Sequence, residues 1–132
     1  MKNDRYERGL QKLKEIEENA AEKILESVKD IAPDFGQYIV EFPFGDILNR
    51  PGLDLKSREI ATVAALTALG NAAPQLKVHI QWALNAGCSR EEIVEIMMQM
   101  AVYAGFPAAL NGLFAAKEVF KEIDDKNRCA GT

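Results

Sequence analysis

Residues 60–69, IATVAALTAL, are apolar or small on every side of a helix, interrupted only by Thr62 and Thr67. A helix that is apolar all round is buried in protein or in a membrane. Ten residues fall well short of the roughly 20 that a bilayer crossing needs, so the run predicts the centre of a packed protein core. Its surroundings predict a helical hairpin over residues 53–88. Asp54 is the expected N-cap, because its carboxylate can accept from the open amides of the first turn. Gly70 closes the first helix, Pro74 opens the second in its first turn, and Gly87 ends it. Two polar residues stand on this hairpin. Glu59 lies one position before the apolar run, and His79 is the only histidine in the chain.

The rest of the chain reads as helical too. Tyr6, Leu10, Leu13 and Ile16 fall at helical spacing among charged residues, with Gly9 costing something like 1 kcal/mol against alanine. Ile24, Leu25, Val28 and Ile31 continue the pattern in a second helix, and Pro33 begins a third over residues 33–41. The segment EFPFGDILNRPGLD carries two prolines and two glycines and is expected to be the least regular part, with Phe42 and Phe44 buried and at most a helical turn over residues 44–49. Ser89 and Glu92 form a capping-box pattern at the start of the next helix. That helix is apolar on both sides, with Ile93, Met97, Met100, Ala101 and Ala104 on one stripe and Val94, Met98 and Val102 around it. Pro107 starts the last helix, in which Ala109, Gly112 and Ala116 make a small-residue track for a close helix neighbour, and residues 124–132 are expected to fray.

With no period-two alternation of useful length, the chain predicts an all-α bundle of about six or seven helices. At 132 residues it is expected to form one domain, with an N-terminal helical arm over about residues 1–32 and a core over about residues 33–124. A hydrophobic share of 48% against 27% charged makes it globular rather than disordered. The net charge of −4, without a basic cluster, argues against a nucleic-acid partner. No apolar leader of signal type and no spanning segment are evident, so a cytoplasmic protein without membrane association is expected. Several helices are two-faced: Val78 and Trp82 oppose the face formed by Leu76, Ile80, Ala83 and Leu84. Surplus apolar faces predict a homo-oligomer.

His79 falls near the edge of its helix's apolar face. There it either exchanges a proton near neutral pH or serves as a structural histidine bonded to a carbonyl. Glu59 is either a buried carboxylate or a helix-start residue paired with Lys56 or Arg58. In an ideal side-by-side hairpin Glu59 lies about 16 Å from the turn and His79 about 8 Å, at 1.5 Å per residue. Direct contact then demands a crossing angle, a bend or a neighbouring subunit. Arg50 suits bidentate capture of a substrate carboxylate, or else an ion pair with Asp46 or Asp54. Glu41 and Phe44 belong to a candidate pocket wall, Glu41 alternatively being a solvated helix-end residue. Tyr103 offers a phenol to a pocket or fills the core. Cys88 and Cys129 form no CxxC and are expected as free thiols. Cys88 sits at a helix N-terminus, where amides would lower a thiol pKa. One histidine without a ligand pair gives no expected metal site, and no phosphate loop or dinucleotide fingerprint occurs.

The stretches FGDILNRPGLDLKSREIATVAALTALG and LKVHIQWALNAGCSREEIVEIMMQMAVYAGFPAALNGLFAAKEVF closely resemble the carboxymuconolactone decarboxylase family, with YAGFPAALNG and RPGLDL the most specific pieces. RYERGL and IAPDFGQYIVEF resemble its N-terminal part. The resemblance implies an alkylhydroperoxidase-D-like all-α fold in trimers or hexamers. It also implies cofactor-independent decarboxylation of 4-carboxymuconolactone or a related unsaturated lactone or acid. In that chemistry His79 would deliver the proton, Glu59 would orient or recharge it, and Arg50, Glu41, Phe44 and Tyr103 would bind substrate. The peroxidase branch of the same fold uses a CxxC dithiol, whereas the corresponding stretch here, GNAAPQLKVH, has no cysteine. A peroxiredoxin-like protein and a non-catalytic oligomeric binding protein are the alternatives.

Overall fold

Seven α-helices and one π-helical segment make up the computed structural model, which describes residues 3–131 and contains no strand among them. Met1, Lys2 and Thr132, part of the expected 1–132 domain, lie outside the described residues. The chain divides after Leu55 into two compact units.

The first unit holds α1 (Asp4–Ile16), α2 (Ala20–Val28), α3 (Pro33–Ile39) and the π-helical segment Val40–Ile47. Asn3 caps α1 by accepting from the Tyr6 amide at 2.9 Å. Tyr6, Leu13 and Ile16 are buried at the expected spacing, while Ile31 is exposed after α2 ends. Gly9, whose sequence position suggested only a helix penalty, is a contact point. A Cβ there would run into the Val40 carbonyl, and one at Gly45 would run into the Arg5 carbonyl. The two glycines let α1 and the π-helical segment meet backbone to backbone.

That segment corrects the expectation of irregular chain. Pro43 has no N–H to give to a helical ladder, and around it the bonding widens to the fifth residue, Leu48 N donating to Pro43 O at 2.8 Å. The Asn49 side chain donates to Phe44 O at 3.1 Å and to Arg8 O at 3.2 Å, closing the end of the segment and tying it to α1. Phe44 is buried as expected; Phe42 is not, with 58% of its surface exposed.

The second unit holds α4 (Leu55–Leu69), α5 (Ala73–Asn85), α6 (Arg90–Ala104) and α7 (Phe106–Ala130). Gly70, Gly87 and Gly105 all take positive φ at the helix ends where the sequence places breaks. After α5 the Cys88 amide reaches Ala83 O at 2.9 Å and the Gly87 amide reaches Leu84 O at 3.1 Å, a Schellman termination. The capping box at Ser89 and Glu92 is formed in both directions. Val63, Leu76, Ile80, Ala83, Ile93, Met97, Ala115, Ala116 and Val119 build the core. The small-residue track on α7 is buried, and a Cβ at Gly112 would lie 2.6 Å from Met97 Sδ of α6.

Three expectations fail here. α4, which carries the apolar run of residues 60–69, buries a single stripe, Glu59, Val63 and Thr67, and leaves Ala61, Ala65, Ala68 and Leu69 exposed. Its alanines are small enough to sit at a surface with little cost. Trp82 is buried within the chain at 4% exposure, so it does not mark a subunit contact. The C-terminus does not fray early: α7 runs to Ala130 and carries the exposed Cys129. Among the described residues no helix is long and apolar enough to cross a membrane.

Candidate active site

Glu59 is buried because it shares the i, i+4, i+8 stripe of α4 with Val63 and Thr67. Its carboxylate is wholly inside, and Oε2 lies 2.9 Å from Nδ1 of His79 on α5. The other oxygen, Oε1, is buried with no hydrogen-bond partner among the described residues. The His79 side chain is 19% exposed, which leaves the pair connected to the outside through the imidazole alone. Glu59 and His79 therefore meet directly within one chain, the arrangement that ideal hairpin spacing did not require.

A carboxylate can only accept, so Nδ1 carries the shared hydrogen and Nε2 is the nitrogen left for a reacting molecule. Trp82, one turn along α5, sets its ring against the imidazole at 4.8 Å between centroids and 71° between planes. Lys56, considered as a partner of Glu59, pairs instead with Glu92 at 3.2 Å.

The other sequence candidates are placed as follows. Glu41 is buried in the π-helical segment, where it accepts from Asn3 Nδ2 at 2.7 Å; it is not a solvated helix-end residue. Phe44 is buried on the same segment, and Arg50 is exposed just beyond it. Asp46, one conceivable partner of Arg50, is held by Arg5 at 2.8 Å and Arg8 at 3.5 Å, and the Arg5 hydrogen bonds keep its carboxyl below the usual range. Tyr103 is neither core nor enclosed: 76% of it is exposed at the end of α6. Cys88 is buried, and burial pushes its thiol up, with Glu92 adding to the effect, against the lowering expected of a helix N-terminus. Neither cysteine forms a disulfide among the described residues. Sequence reasoning missed the Trp82 contact, although its three-residue spacing from His79 is a usable signal.

An apolar groove of about 330 Å³ lies between α6 and α7, lined by Met98, Ala101, Phe106, Ala109, Leu110 and Leu113. It offers no charged or hydrogen-bonding side chain and does not suit a carboxylate.

The model of the carboxymuconolactone decarboxylase family matches residues 33–118, well over half of the chain. The chain belongs to that family. Among its relatives is a 4-carboxymuconolactone decarboxylase of Acinetobacter baylyi, 34% identical over 120 residues that cover 90% of this chain and 89% of the relative. A nitrosuccinic acid decarboxylase of Metarhizium robertsii is 31% identical over 91 residues, 68% of this chain and 62% of the relative. An uncharacterised 15.0 kDa protein of Paracoccus denitrificans is 35% identical over 103 residues, 77% of each chain. Family membership and these two relatives of named activity support a decarboxylase-like function.

Proposed function

We propose that the protein is a cofactor-independent carboxy-lyase acting on 4-carboxymuconolactone or a related unsaturated lactone or acid. The observation that carries the reading is the buried Glu59–His79 pair, which orients one imidazole with Nε2 free for substrate. In the reaction the bond to the departing carboxylate breaks, its electron pair enters the conjugated lactone, and CO2 leaves. His79, carrying hydrogen on both ring nitrogens, gives Nε2–H to the resulting carbanion carbon and is left neutral with its Nδ1 hydrogen on Glu59, and a proton from water then restores Nε2–H. Arg50 is assigned the substrate carboxylate on its chemistry: a permanently charged, bidentate cation in an acidic chain. Glu41 and Phe44 are assigned to shaping the segment that precedes it.

The reading includes a homo-oligomer. Residues 96–116 carry no charge at all, and within them Val102, Tyr103 and Phe106 are each at least 75% exposed. Such a surface on a chain of net charge −4 suits an apolar partner face, so Tyr103 is placed there. A sedimentation mass of one 14.6 kDa chain contradicts this part.

The test is incubation of purified protein with 4-carboxymuconolactone, following CO2 release and loss of the lactone, with nitrosuccinate and unsaturated lactone acids in parallel. Turnover of a carboxylated lactone is expected; release of CO2 from none of them overturns the reading.

A further inference from the structure

We propose that Trp82 is a positioning residue of the reaction, holding the His79 imidazole in the one orientation that serves both Glu59 and substrate. The inference rests on the decarboxylase reading for its kinetic consequence and on geometry for the rest.

The hydrogen bond from Nδ1 to Glu59 fixes one atom of the ring at 2.9 Å. Small coupled rotations about Cα–Cβ and Cβ–Cγ can still tilt the ring while that bond is kept, and such a tilt moves Nε2 sideways. A second contact is needed to set the ring plane. Trp82 supplies it: the rings lie 71° apart at 4.8 Å between centroids, inside the range of edge-to-face aromatic pairs. The contact is built into α5, since positions three apart share a helix face.

Trp82 is itself immobilised, being only 4% exposed. Yet it stands outside the cluster of Val63, Leu76, Ile80 and Ile93 that forms the core of its unit. The largest side chain on α5 thus lies against the imidazole rather than in that core. Glu59 and Trp82 constrain the ring from two directions, one by charge and one by shape. General acid catalysis is sensitive to such placement, because proton transfer requires the donor within hydrogen-bond reach of the carbon it protonates.

The experiment compares W82F and W82L with wild type in the intact protein. His79 is the only histidine, so ring nitrogen signals in a histidine-labelled sample belong to it alone. In spectra taken at a pH high enough to leave the ring neutral, wild type is expected to show one tautomer, with hydrogen on Nδ1. W82L is expected to show a mixture of tautomers and a kcat about three- to tenfold lower with KM within about twofold. W82F, which keeps a ring, is expected to fall between. W82L with a single Nδ1–H tautomer and wild-type kcat overturns the proposal. If W82L does not fold, judged by circular dichroism, W82M replaces it under the same criteria. If wild type releases CO2 from no carboxylated lactone, the decarboxylase reading falls by itself, and the tautomer spectra still decide for or against Trp82.

Discussion

Glu59 and His79 are joined at 2.9 Å between Oε2 and Nδ1, with the other carboxylate oxygen buried and unpaired among the described residues. A buried carboxylate with one hydrogen bond has little to lose before it becomes an isolated charge. That makes His79 a structural partner as well as a chemical group.

His79→Ala is therefore expected to destabilise the protein by about 1–3 kcal/mol, the cost of leaving a buried polar group unsatisfied. His79→Asn restores an N–H near the position of Nδ1 and is expected to recover more than half of the loss. Urea midpoints of the two variants check this. Equal midpoints for H79A and wild type contradict the buried pair.

Gly9 has the opposite sign from its sequence-based expectation. On an exposed helix Gly→Ala stabilises by roughly 1 kcal/mol. Here a Cβ meets the backbone carbonyl of Val40, which cannot turn aside as a side chain would. Gly9→Ala is expected to cost about 1–3 kcal/mol, measured by thermal or urea unfolding, and a stabilised variant removes the close approach of α1 to the π-helical segment.

Stability is expected to fall in acid. Asp46 is held below its ordinary value by the hydrogen bonds from Arg5, Asp124 by those from Arg90, and Glu92 by the Ser89 amide and then Lys56. With folded values depressed, the native state binds fewer protons than the unfolded chain around the usual carboxylate range near about 4. The contribution is complete above that range and is lost as pH falls through the folded values. These groups are exposed, so each effect is small. The urea midpoint should drop between pH 6 and pH 3, and less so in a D46N/D124N double variant; an unchanged slope in that variant contradicts the assignment.

Cysteine reactivity should separate the two thiols. Cys88 is buried and its thiol pushed up, whereas Cys129 lies exposed on α7. At neutral pH iodoacetamide is expected to modify Cys129 and to reach Cys88 only after denaturation. Rapid labelling of native Cys88, sensitive to peroxide, would restore a thiol-based function.

The helix boundaries were legible because glycine, proline and capping residues act locally: Gly70, Gly87, Gly105 and the Ser89–Glu92 box needed no tertiary information. The burial of α4 was misread for a physical reason. Alanine marks neither inside nor outside, so an alanine-rich helix looks apolar on every side while burying one stripe. The burial expected of Phe42, and the core reading of Tyr103, fail because aromatic character does not say whether a ring is covered by its own chain. The π-helical segment was illegible because proline usually signals a break, and only the closing bonds from Leu48 and Asn49 show that the helix continues. Glu59 and His79 were visible as candidates, but their contact depends on how α4 meets α5, which no local rule gives.

The most direct test compares His79→Asn with wild type for decarboxylation of 4-carboxymuconolactone, with fold and assembly matched by circular dichroism and sedimentation. Loss of the proton donor predicts a kcat lower by about 10²–10⁴-fold. Turnover within about twofold of wild type contradicts the role given to His79.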